Sequence, residues 1–79
     1  MTDYVIDIET DGLDATKIHC MSVHNGKSIE TFTKYADMQV FLATVNRLDR
    51  IIGHNFIRYD APVIERILGT NMPCQIVDT

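Results

Sequence analysis

Apolar and polar residues alternate from Tyr4 to Glu9, with Tyr4, Ile6 and Ile8 on one side and Val5, Asp7 and Glu9 on the other. A period of two over a β-rich stretch predicts a strand with one buried face. Asp11-Gly12 then signals a turn. From Lys17 to His24 the residues Ile18, Cys20 and Ser22 alternate with His19, Met21 and Val23, which predicts a second strand. Asn25-Gly26 is a strong hairpin signal, so Ser28 to Thr33 is expected to pair antiparallel with that second strand.

Further on the apolar spacing lengthens. Met38, Phe41, Leu42, Val45 and Leu48 form one stripe at helical spacing, with Asp37 placed to cap it. Arg50 to His54, around Ile51-Ile52, reads as a short buried strand. Pro62 to Leu68 reads as a second helix, with proline in its first turn, Val63, Ile64, Ile67 and Leu68 as its stripe, and Gly69 at its exit. Pro73 breaks the chain, and Gln75 to Val77 starts a fifth strand. The resulting order, β-β-β-α-β-α-β, predicts an α/β protein with an antiparallel hairpin in a mixed sheet.

Composition narrows this picture without changing it. The 79 residues make a single domain, 1–79, and 46% hydrophobic content is ordinary for a folded chain. No signal peptide and no apolar run of membrane-spanning length is present, so no membrane is expected. Cys20 and Cys74 would make at most one bridge, and reduced thiols in a cytoplasmic setting are expected.

Charge is more informative. The net charge is −4, with Asp3, Asp7, Glu9, Asp11 and Asp14 all placed before the first basic residue, Lys17. Such a stretch repels phosphate unless cations sit in it, which argues against non-specific duplex binding. It is compatible with meeting nucleic acid through bound metal.

The chemistry concentrates in two places, Asp7-Ile8-Glu9 and the run from His54 to Pro62, each at the end of an apolar strand-like segment. Residues i and i+2 of a strand point the same way about 6.6 Å apart, so Asp7 and Glu9 can share one cation. Asp60 supplies a third carboxylate, because the first and fourth strands can lie side by side with their carboxyl ends on one rim. Three carboxylates from two such places can hold a pair of divalent cations, the usual machinery for cleaving phosphodiesters. Each residue also has a plainer role. Asp7 and Glu9 are a solvated strand face, Asp60 caps a helix, His54 is a satisfied strand-end histidine, and Asn55 starts a turn. Only their conjunction favours a site.

That conjunction resembles the DEDD 3′–5′ exonucleases. Asp7-Ile8-Glu9-Thr10-Asp11-Gly12-Leu13 is similar to their first motif, and His54-Asn55 followed by Asp60-Ala61-Pro62 to their second. Thr16 to Cys20 and Tyr59 to Pro62 look most like the proofreading domain of phage-type family A DNA polymerases. The resemblance spans essentially the whole chain and implies a ribonuclease H-like exonuclease fold, as the N-terminal portion of that domain.

It further implies roles by residue. Asp7 and Glu9 would bind one metal, Asp7 would bridge to a second, and Asp60 would reach that second metal through water. The cofactors would be Mg²⁺ or Mn²⁺. Thr10 and Leu13 would contact the 3′-terminal nucleotide, while His54 and Asn55 would position the motif. The reaction would be hydrolysis of the terminal phosphodiester at the 3′ end of single-stranded DNA, in a cytoplasm hosting a phage-encoded protein.

The family's third motif, with a fourth carboxylate, is not found, and Asp78-Thr79 matches the end of the fifth strand instead. Asp78 is a spare acid that could be borrowed as a ligand. A truncated or split exonuclease is therefore expected, weak or inactive alone, with its bare sheet face recruiting a polymerase partner chain or a homo-oligomer. The alternative is a non-catalytic exonuclease-like module that binds DNA ends, metal or a polymerase.

Overall fold

A computed structural model describes residues 1–12 and 15–79. Five strands, β1 (Asp3–Thr10), β2 (Ile18–His24), β3 (Ile29–Phe32), β4 (Arg50–Gly53) and β5 (Gln75–Asp78), form one sheet in the order β3-β2-β1-β4-β5. β2 runs antiparallel to both β1 and β3, whereas β4 runs parallel to β1 and to β5. The mixed sheet and the expected order of elements are both observed.

The β2–β3 hairpin turns through Asn25, whose Oδ1 accepts the backbone N–H groups of Lys27 and Ser28 at 3.0 Å each. In β2 the expected alternation is broken once. Glu9 pairs with Cys20 but Thr10 pairs with Ile18, so His19 is an extra residue in a bulge. The bulge resets the parity, and Ile18 and Met21 are both buried although an odd number of positions apart.

Helix α1 (Tyr35–Thr44) differs from expectation at both ends. It begins after Lys34, and Asp37 lies inside the first turn rather than capping it. There its charge still complements the helix dipole. The helix stops at Thr44, so Val45 and Leu48 are not on its stripe. The cause lies just beyond: Asp49 accepts the N–H of Asn46 at 2.8 Å, and the Asn46 side chain accepts that of Leu48 at 3.0 Å. Such local side-chain bonds compete with helix propagation. Val45 is buried anyway, while Leu48 is left 67% exposed.

Helix α2 (Ala61–Leu68) carries proline in its first turn, as expected. It ends at Gly69 with φ 66°, the left-handed conformation that glycine adopts without strain. The two helices share one side of the sheet, since Met38 and Leu42 of α1 and Ile64 and Leu68 of α2 join a single core with Ile6, Ile8, Met21 and Ile51. On the opposite side Val5, Asp7 and Glu9 are exposed, and no described helix packs over them. Both cysteines are free thiols. Among the described residues no helix is long and apolar enough to cross a membrane.

Candidate active site

Because β1 and β4 are parallel neighbours, with Asp3 opposite Arg50 and Val5 opposite Ile52, their carboxyl ends point to one rim. β1 continues past its pairing with β4, and this extension carries Asp7 and Glu9 on the solvent side. The chain leaving β4 does not enter a helix directly. Asn55 takes the left-handed conformation at φ 51°, which asparagine tolerates better than most residues. A single π-type turn, Phe56–Asp60, follows, and the N–H of Ala61 donates to the carbonyl of Phe56 to close it.

Two features anchor this turn. Phe56 is fully buried and sits so close over Gly53 that a β-carbon there would collide with its ring. Asp78, at the end of β5, accepts the N–H of Phe56 on Oδ1 and that of Ile57 on Oδ2, both at 3.1 Å. The π turn was not legible in the sequence. Such turns occur frequently at functional sites.

Asp60 ends the turn and leads into α2. Its backbone is already helical and its side chain makes no capping bond to the helix, so the plain capping role is not realised. Its carboxyl is pushed up to about 6, first by burial and next by the Asp7 carboxylate, with Asp78 and Glu9 adding to the rise and the Ile8 backbone amide opposing it. Asp7 and Glu9 are therefore near enough to Asp60 to disfavour its ionised form. The three are not closed into a preformed ligand set, because no three His, Cys, Asp or Glu side chains among the described residues meet at metal-binding spacing. All three donors are carboxylate oxygens, the type that Mg²⁺ and Mn²⁺ prefer.

Beside Asp60 lies a cleft of about 320 Å³, lined by Ile8, Thr10, Gly12, Tyr59, Asp60 and Val63. Thr10 lines the same cleft as Asp60, and its hydroxyl donates to the Gly12 carbonyl at 3.1 Å. His54 and Asn55 are exposed and do not line this cleft. Leu13 lies outside the described residues.

Sequence reasoning did not assign Tyr59 or Val63 to the cleft, and it read Asp11 only as part of a turn signal. Asp11 accepts the N–H groups of Thr16 and Lys17 at 2.9 and 3.1 Å and the Thr16 hydroxyl, tying the loop after β1 to the start of β2. These bonds, the hydroxyl's foremost, lower its carboxyl to about 2. The signal for Asp11 was available, since Asp and Asn side chains close turns by accepting nearby amides. Tyr59 and Val63 gave no local signal, because only the π turn and α2 aim them at β1.

A family model of the RNase H superfamily matches residues 4–78, and the chain belongs to that superfamily. The mixed sheet with its paired parallel strands and the acidic rim agree with a nuclease-like fold. No curated relative is found by sequence comparison.

Proposed function

We propose that the chain is part of a metal-dependent 3′–5′ exonuclease of the DEDD type, similar to the proofreading domain of phage-type family A DNA polymerases. Its substrate would be the 3′ end of single-stranded DNA. The observation that carries this reading is the placement of Asp7 and Glu9 on the exposed face at the end of β1 and of Asp60 at the end of the π turn, where it lines a cleft of about 320 Å³ with Ile8 and Thr10 of β1.

Asp7, Glu9 and Asp60 would hold Mg²⁺ or Mn²⁺. When bound, the ions supply charge neutralisation for the attacking and leaving oxygens of a phosphodiester. The protein's own contribution is placement. Ile8, Tyr59 and Val63 give the cleft apolar walls for a base or sugar, and Thr10 adds a polar residue to its lining. Burial, and after it the nearby Asp7 carboxylate, raise Asp60 toward its neutral form, so a cation entering the rim would displace that proton and relieve the repulsion. On the same reading the uncovered sheet face docks against a polymerase chain or a second copy of this one.

Titration of Mn²⁺ into the wild type and Asp7→Ala, with chelated protein as reference, tests the metal reading. Wild type is expected to bind and Asp7→Ala to bind about 10-fold more weakly or worse, as for a lost ligand or its support. Equal binding by the two would sink it. Release of nucleoside monophosphate from a 3′-labelled oligonucleotide, dependent on Asp7, tests the reaction.

A second reading is a non-catalytic module that binds a DNA end, favoured by the absence among the described residues of three ligands already at metal spacing. It requires retention of the labelled oligonucleotide without shortening at saturating Mn²⁺.

A further inference from the structure

The last residue of β5 is tied to the first residues of the π turn, and the last residue of that turn is Asp60. Both oxygens of Asp78 are committed, one to the N–H of Phe56 and one to the N–H of Ile57. β5 itself is fixed at this point, because Asp78 stands opposite Gly53 in the parallel pairing and the N–H of Thr79 donates to the Gly53 carbonyl at 2.9 Å. Phe56 is buried over Gly53, so the first of the two amides that Asp78 grips belongs to a residue that cannot shift independently of β4. From there the chain runs through the turn, closed by the bond from the Ala61 N–H to the Phe56 carbonyl, to Asp60. No capping bond to α2 holds the Asp60 side chain at its own end.

We propose that Asp78 is a positioning residue: by gripping the start of the π turn from the end of β5, it sets where Asp60 stands relative to Asp7 and Glu9. The inference rests on the proposed metal site for its functional meaning, but its structural content is separate. It also gives Asp78 a role other than a borrowed metal ligand, since both of its oxygens already accept backbone amides. Asp78 thereby acts at the rim through the 56–60 turn rather than by direct contact with substrate or metal.

The test uses the full chain and the variants Asp78→Ala and Asp78→Asn. Asp49→Ala serves as a control, because Asp49 likewise accepts two backbone amides, those of Thr2 and Asn46, but at the other end of β4. Amide exchange at Phe56 and Ile57 is read by NMR and Mn²⁺ affinity by titration. Asp78→Ala is expected to speed exchange at both amides by about fivefold, as for a lost cap. It is expected to weaken Mn²⁺ binding about 10–100-fold, as for a lost supporting residue. Asparagine keeps one acceptor oxygen and replaces the other with an NH2 donor, so Asp78→Asn should keep only one of the two amides protected and fall between wild type and Asp78→Ala in Mn²⁺ affinity. Asp49→Ala should change neither, whatever it does to global stability.

Wild-type Mn²⁺ affinity in Asp78→Ala would overturn the inference. So would weaker Mn²⁺ binding in Asp78→Ala without faster exchange at Phe56 or Ile57, because the effect would then not run through the grip on the turn. If the wild type shows no Asp60-dependent Mn²⁺ binding, the proposed function fails instead. The positioning role is then decided by crystal structures of wild type and Asp78→Ala, in which an unmoved Asp60 would refute it.

Discussion

On the helix side of β1, Ile6 and Ile8 are 2% and 8% exposed, whereas on the other side Val5 is 46% exposed and Asp7 and Glu9 stand in solvent. The same backbone and the same ladder serve both. What separates the two sides is the company that later segments provide: α1, the π turn and α2 all bring apolar residues to the first side and none to the second. The helix side therefore holds the stability of the domain, and the open side is free to hold charge. Asp60 sits at the boundary, half-buried, and its raised carboxyl registers both environments at once.

The sharpest way to break this division is to remove its largest buried side chain. Phe56→Ala is expected to cost about 3–5 kcal/mol, the range for deleting a large aromatic from a packed core. Urea denaturation followed by circular dichroism measures it. A loss below about 1 kcal/mol, as for a surface substitution, would mean that the π turn is not part of the core. The helix side would then end at α2.

Asp60 offers a smaller effect with a definite sign. Its folded value of about 6 lies above the ordinary 3.8, so between those values the folded state keeps a proton that the unfolded state has released. Stability from this group is present at low pH and is lost as pH rises through the folded value. Asp60→Asn, in chelator, is expected to be about 1 kcal/mol more stable than wild type at pH near 8. That figure is a two-unit shift discounted for the group's solvent exposure. The two proteins should converge near pH 4. A constant difference across that range would show that Asp60 does not feel the acidic rim.

The smallest effect on folding is expected on the open side. Val5→Asp should change stability by no more than about 0.5 kcal/mol, as for a surface substitution. It should, however, lower any self-association, since it places a charge in the middle of the proposed docking face. Sedimentation at micromolar concentration checks this. A wild-type monomer that unfolds cooperatively and tolerates Val5→Asp would remove the open face as an interface between copies.

Much of this was legible along the chain because it depends on short-range spacing. The faces of β1 follow from alternation over six residues, and the exit of α2 follows from one glycine able to take a positive φ. Where local chemistry competed with periodicity, the pattern misled. The stripe through Val45 and Leu48 suggested a longer α1, but Asn46 and Asp49 satisfy amides there and turn the chain. In β2 a strict alternation could not show that His19 would bulge, because a bulge is set by the strand opposite it. Asp37 looked like a cap from its place before the apolar run, yet the helix starts at Tyr35, whose hydroxyl accepts the N–H of Ile18 at 3.0 Å.

The candidate site divides in the same way. Asp7 and Glu9 share a side by the geometry of any strand, so their pairing was determined by the sequence alone, as were the hairpin, the order of elements and the acidic bias before Lys17. The approach of Asp60 to them was not, because it needs β1 and β4 to pair in parallel and a π turn to carry the chain back over the rim. Nor was the grip of Asp78 on that turn, across a separation of 22 residues. Contacts of that range form only when strands dock side by side, and strand order is settled by burial of whole faces rather than by any local pattern of residues.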